Sequence, residues 1–295
     1  MKKYKDVYEG LSVDEKRYLK DGKGKHIRDE WGNLVGIRRH ALPTDEEHEE
    51  YMEKKAEEDR LLRSVFNSKC FYESGSRKRR HLYNDNIDEA AEDFHQWYAF
   101  LKYCVEQADP EGLFLEFGVH VGSSIKALAR WVPGALYGFD SWKGYEGSWG
   151  KTDEEEVPGS SFALSDSEVL KLKQEIGANV KLVSGWYNFS LPKFLDKVEG
   201  FCSFIHCDSD TYDSAKEVLD ILTEANRIVP GTIIVFDDFY GYPKYKEHEY
   251  KAFNEYVKNH NITFEWLAYT SGRCPWNGGQ VALRVVEVSS EDTEE

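Results

Sequence analysis

Short runs of apolar residues alternate with amphipathic helical patterns from residue 113 onward. Such runs, lacking regular polar alternation, are typical of strands buried on both faces of a parallel sheet. Two later segments alternate apolar and polar positions, which predicts a closing antiparallel pair. We therefore predict an α/β protein with a mostly parallel sheet of about seven strands. The predicted strands are residues 113–117, 135–139, 180–183, 201–207, 232–236, 262–269 and 280–288.

Helix signals lie before and between these strands. Ser165 and Glu168 have the spacing of a capping box in front of an apolar stripe, which predicts a crossover helix. Apolar and aromatic residues between positions 94 and 105 recur at helical spacing and predict a helix that leads into the core. A shorter helix is predicted after Pro192. The polar segment 143–161 is long for a connection of this kind, which favours a functional lid.

Residues 1–85 differ from the rest by dense charge and by the lack of a clear period. The acidic stretch 44–60 fits either a solvated helix or an irregular segment, and the basic tetrad 77–80 is typical of a solvated surface patch. We expect residues 1–85 to form a charged, partly helical N-terminal extension that acts as a lid or a dimer contact. The main domain is expected over residues 86–295, and a homo-oligomer is compatible with this division.

Composition narrows the classes of function. A net charge of −16 argues against a nucleic-acid partner, because affinity for phosphate backbones comes from basic side chains. No stretch approaches the about 20 apolar residues of a membrane helix, and the N-terminus does not lead into an apolar signal segment. We therefore expect a cytoplasmic protein without a membrane partner. The five cysteines are widely spaced and include no C-x-x-C pair, so neither a zinc site nor a disulfide framework is predicted.

Polar residues and glycines collect at the ends of the predicted strands. The carboxyl ends of parallel strands meet at one edge of the sheet, and ligands bind in the crevice beyond that edge. We therefore expect one crevice to gather Glu116, Asp140, Gly185, Asp208, Asp210, Asp237 and Asp238.

The turn after the first strand favours one cofactor over another. It lacks the G-x-G-x-x-G spacing of a dinucleotide site, which argues against a rival interpretation as a nicotinamide-dependent oxidoreductase. Gly118 and Gly122 allow the backbone to approach a ligand closely, and Glu116 suits the ammonium and sulfonium groups of S-adenosylmethionine better than phosphates. Asp140 has a position from which a carboxylate accepts both hydroxyls of an adenosine ribose; the alternative is a turn or helix cap.

Four carboxylates follow two predicted strands that are expected to be neighbours: Asp208, Asp210, Asp237 and Asp238. They would repel one another unless a cation or shared protons intervened. Hard oxygen ligands favour Mg²⁺, Ca²⁺ or Mn²⁺ over zinc. The alternative is that some of the four cap helices or turn away from the others.

Five motifs lie at these strand ends and turns. They are Glu116-Phe117-Gly118-Val119 with Gly122-Ser123-Ser124, Tyr137-Gly138-Phe139-Asp140-Ser141, Gly185-Trp186 with Leu191-Pro192, His206-Cys207-Asp208-Ser209-Asp210-Thr211-Tyr212, and Pro230-Gly231-Thr232 through Asp237-Asp238. Together, over about residues 94–288, the sequence resembles the macrocin O-methyltransferase-like branch of class I S-adenosylmethionine-dependent methyltransferases, known for methylating sugar hydroxyls in antibiotic biosynthesis. The resemblance implies the Rossmann-like fold of that class.

The resemblance also implies a reaction, in which a methyl group passes from S-adenosylmethionine to a hydroxyl of a small molecule such as a sugar or a glycosylated metabolite. It implies Asp210 as the general base, with Mg²⁺ or another divalent cation held by Asp208, Asp237 and Asp238. A bound cation lowers the pKa of the acceptor hydroxyl while a carboxylate takes the proton. The implied cofactor contacts are Glu116, Gly118, Gly122, Ser123, Asp140, Ser141, Gly185 and Trp186.

Several roles stay open at this point. A catalytically silent methyltransferase-like subunit is an alternative, although four intact acids disfavour it. His120 and His206 are expected to pack or to orient other groups, and His248 is either a solvated residue or a second base. Stacking on a sugar or ring and packing in the core fit equally well for Trp142, Tyr145 and Trp149.

Overall fold

The computed structural model describes residues 12–13, 19–20, 60–72, 96–145, 147–151, 157–271 and 279–288. The chain divides into two compact units, Met1–His48 and Glu49–Glu295. In the first unit, the described residues form an antiparallel pair of short strands, Ser12–Val13 and Leu19–Lys20. The second unit carries the main sheet and every candidate site residue named above.

Helices and strands alternate along most of the second unit. The described helices are α1 (Arg60–Val65), α2 (Gln96–Glu106), α3 (Ser123–Leu128), α4 (Asp166–Glu175), α5 (Tyr187–Leu195), α6 (Tyr212–Glu224) and α7 (Glu249–Asn259). The strands of the sheet are β1 (Lys69–Tyr72), β2 (Leu113–Phe117), β3 (Leu136–Asp140), β4 (Val180–Ser184), β5 (Cys202–Cys207), β6 (Ile233–Tyr240), β7 (Ile262–Ser271) and β8 (Gly279–Val288). The loop after β3 adds a short pair, Ser148–Trp149 with Val157–Pro158, and a 3-10 turn at Gly159–Phe162.

The eight strands form one sheet in the order β1-β7-β8-β6-β5-β2-β3-β4. Strand β8 pairs antiparallel with β7 and β6, and the other pairings in this sheet are parallel. This confirms the predicted Rossmann-like α/β fold with a mostly parallel sheet and a C-terminal antiparallel pair. The sheet has eight strands, where the pattern predicts about seven.

The additional strand is β1, which pairs in parallel with β7 and brings Lys69 opposite Ala268. A four-residue strand is too short to show a period, so the sequence pattern does not reveal it. Its pairing places residues 60–72 in the second unit, whereas the sequence predicts the main domain from residue 86 onward. The two compact units divide after residue 48.

The order of the strands reverses between β2 and β5. From β2 the chain proceeds outward to β3 and β4, and then returns to β5 and β6 on the other side. Ligands in open α/β sheets bind beyond the carboxyl ends of the strands at such a reversal. The two strand ends are joined there by a hydrogen bond from the Asp208 N–H to the Phe117 carbonyl (2.9 Å).

Apolar side chains cover both faces of the sheet, as the uninterrupted apolar runs predict. Alternate residues of β2 enter different clusters, since neighbouring side chains on a strand point to opposite faces. One cluster includes Leu115, Phe117, Leu191, Ile205, Val218 and Phe253. The other includes Phe100, Phe114, Ile125, Leu172, Phe204 and Val235. Because the central strands are packed on both faces, they hold the polar residues at their ends in fixed positions.

Strand β6 is longer than predicted. It continues through Asp237 and Asp238 to Tyr240, where the apolar pattern predicts an end at Phe236. Its register with β8 shifts between Phe236 and Tyr240. A shift of this kind re-aims side chains, so the two aspartates lie within a strand and still reach the polar end of the sheet.

Helix starts show one confirmed prediction and one correction. At α4, the Ser165 side chain accepts the Glu168 N–H and the Glu168 side chain accepts the Ser165 N–H, which confirms the capping box. Helix α5 begins at Tyr187 and contains Pro192, so the predicted start after that proline is wrong. Gly185, with a φ of 132°, turns the chain from β4 directly into the helix.

Some predicted features lie outside the described residues. They are most of the acidic stretch 44–60, the basic tetrad 77–80, the first residues of the helix predicted from position 94, and Cys274. The role of residues 1–85 as a lid or a dimer contact stays a prediction. Within the described part of the chain, no helix is long and apolar enough to cross a membrane.

Candidate active site

A cavity of about 330 Å³ opens where the ends of β2 to β5 meet. Its lining includes five residues predicted for cofactor binding: Gly118, Asp140, Ser141, Gly185 and Trp186. The same cavity is lined by Tyr145, Trp149, Phe162, Asp208, Ser209 and Asp210. The structure thus brings predicted cofactor contacts, one predicted metal ligand and the predicted general base to one cavity.

Gly118 lies in the turn after β2, where two strand ends come close together. Its φ of 97° lies in the region that favours glycine. A Cβ atom at this position would lie 1.8 Å from the carbonyl oxygen of Asp208, so a larger residue would push the end of β5 away. Glycine is therefore needed here for the two strand ends to meet at the cavity.

Asp140 ends β3, and its carboxylate joins two turns. One oxygen accepts the His120 N–H (2.7 Å) and the other accepts the Trp142 N–H (2.6 Å). Both donor residues have positive φ, 45° and 51°, so the carboxylate stabilises uncommon backbone on either side. Asp140 is a turn cap, as the alternative interpretation predicts, and it also lines the cavity. Each oxygen has capacity for a further hydrogen bond from a ligand hydroxyl.

Gly185 and Trp186 follow β4 and border the same cavity. The Gly185 N–H donates to the Asp140 carbonyl (3.0 Å), which holds the ends of β3 and β4 together. Trp186 is 39% exposed, so its ring is available to a flat ligand group. The Ser141 hydroxyl donates to the Gly144 carbonyl (3.1 Å) and shapes the loop that follows.

Three residues predicted as cofactor contacts do not line the cavity: Glu116, Gly122 and Ser123. Gly122 precedes α3 with a φ of 83°, and a Cβ atom there would lie 2.4 Å from Cδ1 of Leu172. Ser123 is the first residue of α3. Glu116 is completely buried in β2. The contacts of these three residues with a cofactor stay predictions.

Glu116 and His206 stand opposite each other on the adjacent strands β2 and β5. Glu116 Oε1 lies 3.2 Å from His206 Nδ1, and neither side chain is exposed. Burial lowers the pKa of His206, but interactions with the Asp237 and Glu116 carboxylates outweigh it and raise the pKa to about 10. In the metal-free site these carboxylates favour the charged imidazole and a buried ion pair with Glu116.

Three potential metal-ligating side chains, His206, Asp208 and Asp237, place ligand atoms within 4.8 Å of one another. His206 Nε2 is buried and has no hydrogen-bond partner within the described residues, so it offers a ligand atom once its proton is released, and the two aspartates offer theirs directly. Burial, and next the charge of Asp237, raises the pKa of Asp208 well above its usual range. Carboxylates that disfavour each other's charge in this way suit a hard divalent cation. Asp238, the third predicted ligand, lies outside this group.

Neutral polar atoms border the same carboxylates. Gln280 donates a hydrogen bond from Nε2 to Asp237. The Gln280 Oε1 and the Ser209 Oγ are buried and have no hydrogen-bond partner within the described residues. Buried oxygens of this kind call for water or a cation as a partner, so the donor set fits Mg²⁺ with bound water.

Asp238 is held by Lys151, which comes from the loop after β3. The Lys151 Nζ lies 2.7 Å from Asp238 Oδ1, and the two side chains are 20% and 10% exposed. Burial lowers the pKa of Lys151, but the Asp238 carboxylate outweighs this effect and the pKa lies above its usual value. A second cation thus stands beside the carboxylates. The sequence offered no signal for it, because Lys151 lies in a polar loop without a period.

Asp210 lies beside Asp238 and lines the cavity. Its φ of 59° is in the left-handed region, which is uncommon for a residue other than glycine. Burial, and next the charge of Asp238, raises the pKa of Asp210 to about 8, against the lowering effect of Lys151. Burial raises the pKa of Asp238 as well, whereas the interaction of the two carboxyl groups raises the pKa of Asp210 and acts to lower that of Asp238. A carboxyl group whose pKa is near neutral is suited to moving a proton.

Glu249, the first residue of α7, ties the ends of β5 and β6 together. Its Oε1 accepts the Ser209 N–H (3.3 Å), its Oε2 accepts the Asp238 N–H (3.1 Å), and the side chain is completely buried. The sequence analysis missed this residue. The available signal was a Glu-His-Glu run after the fifth predicted strand, which is equally typical of a solvated surface.

Tyr145, Trp149 and Phe162 form an aromatic wall of the cavity. The rings of Tyr145 and Phe162 stack at a centroid distance of 5.3 Å. Trp149 Nε1 donates to the Asp210 carbonyl (3.1 Å), which fixes the indole next to that residue. Trp142 is 5% exposed and packs in the core. Tyr145 and Trp149 therefore remain as stacking candidates.

A known protein family and known structures are similar to this chain, in sequence and in fold respectively. Residues 115–239, less than half of the chain, match a family model described as a methyltransferase domain. No curated protein matches the sequence. The crystal structure of the calicheamicin methyltransferase CalS11 is 18% identical and covers 87% of this chain and 99% of its own, with a TM-score of 0.54.

Two further solved structures are similar with lower TM-scores. The O-methyltransferase NovP is 19% identical and covers 65% of this chain and 80% of its own, with a TM-score of 0.46. An O-methyltransferase from Bacillus cereus in complex with SAH is 15% identical and covers 83% and 93%, with a TM-score of 0.43. The likeness to CalS11, at 18% identity, shows the fold, and the family match adds a methyltransferase domain over residues 115–239.

Proposed function

We propose that the protein is an S-adenosylmethionine-dependent O-methyltransferase that uses a divalent cation, preferably Mg²⁺, and methylates a hydroxyl of a small molecule. The supporting observation is the single cavity that both Asp140 and Asp210 line. It allows a methyl donor and a base to serve one acceptor. A sugar or a glycosylated metabolite as acceptor is supported by the motif resemblance alone.

The donor side of the cavity would bind S-adenosylmethionine through residues already fixed by the fold. Asp140 accepts the ribose hydroxyls with the hydrogen-bonding capacity that its two turns leave. Trp186 and Gly185 bound the space for the adenine ring. Gly118 lets the backbone come close to the cofactor, because it carries no Cβ atom.

On the acceptor side, Asp210 would take the proton of the substrate hydroxyl. Asp208, Asp237 and Asp238 would hold the cation, which lowers the pKa of that hydroxyl when it is bound. His206, paired with Glu116, places a fixed positive charge behind the carboxylates. The aromatic wall keeps water away and orients the acceptor, which keeps the hydroxyl in line with the donor.

Binding of S-adenosylhomocysteine tests the donor side. We expect it to raise the melting temperature of the protein, whereas NAD should not. Asp140→Ala should remove most of this stabilisation because the ribose contacts are lost, while Asp196→Ala, an exposed aspartate outside the cavity, should retain it. Equal shifts in all three proteins would contradict the ribose contact, and stabilisation by NAD alone would favour the oxidoreductase alternative.

A screen of hydroxylated acceptors by mass spectrometry tests the reaction. We expect methyl transfer to a polyol, sugar or catechol hydroxyl that is lost in excess chelator and in Asp208→Ala. Full turnover with chelator would refute the metal. S-adenosylhomocysteine binding without transfer to any acceptor in the panel would favour the catalytically silent subunit.

A further inference from the structure

The loop after β3 carries a cation into the candidate metal site. The Lys151 ammonium lies 2.7 Å from Asp238 Oδ1 and faces the rings of Trp149 (5.2 Å) and Tyr242 (5.5 Å). A carboxylate and two aromatic faces are the surroundings that bind an ammonium group. The Lys151 carbonyl also accepts the Lys244 N–H (3.2 Å), so the backbone is anchored where the side chain enters.

This contact involves Asp238, the third carboxylate that the proposed function assigns to the divalent cation. Asp238 Oδ1 is bound to the ammonium of Lys151. The Asp238 side chain lies outside the ligand group of His206, Asp208 and Asp237. A Mg²⁺ ion binds carboxylate oxygen at about 2.0–2.1 Å, so an ammonium and a metal ion on one carboxylate would repel each other at short range.

We propose that Lys151 is an internal cation of this site: its ammonium and a divalent metal ion compete for Asp238, and metal binding releases the Lys151 side chain. The proposal rests on the metal site of the proposed function. In this proposal, the position of a loop lysine decides whether the metal ion has two or three carboxylate ligands. It also connects the metal to the acceptor side of the cavity.

Trp149, two positions before Lys151, connects the metal site to the acceptor side of the cavity. Trp149 donates from Nε1 to the Asp210 carbonyl (3.1 Å) and lines the cavity. When the Lys151 side chain leaves Asp238, its ammonium also leaves the face of the Trp149 ring, while the backbone stays anchored by the Lys244 N–H. The indole beside the base therefore has a cation over its face when Lys151 binds Asp238, and none when a metal ion is bound.

Mn²⁺ affinity, measured by calorimetry on the full chain, tests the competition. Lys151→Met keeps an unbranched side chain one atom shorter and removes its charge, so Mn²⁺ should bind about tenfold more tightly, or better, than to the wild type. Lys151→Arg keeps the charge and should bind no more tightly than the wild type. Lys126→Met is the matched control, because Lys126 also contacts a carboxylate at 2.7 Å, that of Glu175, outside this site.

A double-mutant cycle identifies Asp238 as the shared partner. In the Asp238→Asn background, Lys151→Met should leave Mn²⁺ affinity unchanged, because the contested carboxylate is gone. Melting temperature and S-adenosylhomocysteine affinity, measured for every variant, show that the fold is intact. A tenfold gain that persists in the Asp238→Asn background would overturn the competition, since it would reflect only the general removal of positive charge.

Tryptophan fluorescence supplies a readout that does not depend on turnover. Addition of Mn²⁺ or Mg²⁺ to the wild type should change the emission, and Trp149→Phe should remove most of that change. Lower or unchanged Mn²⁺ affinity in Lys151→Met refutes the proposal. If neither protein binds Mn²⁺, the metal site and the competition both fail, whereas cofactor binding and methyl transfer in chelator still test the methyltransferase function separately.

Discussion

Glu116 Oε1 and His206 Nδ1 lie 3.2 Å apart on adjacent strands, and both side chains are completely buried. The two residues lie close to the strand ends that carry the carboxylates. A buried ion pair of this kind adds little net stability, but removing one partner leaves a costly unpaired charge. The pair places a positive charge behind Asp208 and Asp237, where it offsets their repulsion.

The stability of the protein should depend on the charge of His206. The pKa of this imidazole is about 10 in the folded protein, against 6.5 as the ordinary value, because the carboxylate partners outweigh the effect of burial. Since the folded pKa is the higher one, the stabilisation is complete below pH 6.5 and is lost as the pH rises through about 10. We expect a loss on the order of 3–5 kcal/mol in the free energy of unfolding, measured by urea titration between these limits.

Glu116→Gln is the comparison that isolates this effect. It keeps the shape of the side chain and removes the charge, so the variant should be less stable at neutral pH and its stability should depend less on pH over that interval. Identical pH dependence in the two proteins would show that the imidazole is neutral in the folded state.

Gly118→Ala should disrupt the meeting of β2 and β5. The added Cβ would lie 1.8 Å from the Asp208 carbonyl oxygen, in addition to the strain of a φ of 97°. Gly231→Ala is a matched control with a φ of 100° and no atom within 4 Å of the Cβ position. We expect Gly231→Ala to cost about 1–2 kcal/mol in unfolding free energy and Gly118→Ala at least about 4 kcal/mol. Equal costs would mean that the close approach is not essential.

Glu249→Gln should weaken metal binding and leave cofactor binding nearly unchanged. Both N–H groups that Glu249 binds are donors, and an amide offers one acceptor oxygen, so one of them loses its partner at a cost of about 1–3 kcal/mol. Mn²⁺ affinity should fall, while S-adenosylhomocysteine affinity should stay within about twofold, because Asp140 and Gly185 are held by other contacts. Glu255→Gln, on the same helix with one hydrogen bond to Tyr212, is the control. Loss of both affinities would indicate general unfolding.

The rate of methyl transfer should follow the ionisation of Asp210. A base must be deprotonated, and burial together with the Asp238 charge raises the pKa of Asp210 to about 8. Turnover at limiting Mg²⁺ should therefore fall as the pH decreases below about 8, which gives the pH–rate profile an acidic limb. Saturating Mg²⁺ should move this limb to lower pH, because a cation favours the charged form of Asp210. Asp210→Asn should reduce kcat by roughly 100-fold or more with cofactor affinity unchanged. A limb that does not move with Mg²⁺, or an active Asp210→Asn variant, would exclude the proposed base.

The predicted fold agrees with the structure where local pattern decides. Apolar runs between helical stripes place β2 to β6, and the capping box at Ser165 marks the start of α4. The pattern fails where local signals are weak or mixed. Strand β1 has only four residues, β6 continues through two aspartates, and α5 contains Pro192. In each case, pairing or packing with another part of the chain outweighs the local preference.

The candidate site shows the same division. Asp140, Gly185, Asp208 and Asp210 line one cavity because parallel strands bring their carboxyl ends together, which the strand pattern alone predicts. Glu116 does not line it, since its side chain faces His206 inside the sheet. Lys151 and Glu249 enter the site from a loop and a helix end, where no periodic signal marks them.

The sequence by itself determined the α/β alternation, the glycine turn and the edge of the sheet at which the acids collect, because each of these follows from the order of apolar and polar residues along a strand or helix. Only the tertiary structure decided the partner of each charge: His206 for Glu116, Lys151 for Asp238, and two backbone N–H groups for Glu249. These pairings join residues far apart in the chain, and they depend on strand register and on the path of one loop, neither of which a local pattern contains.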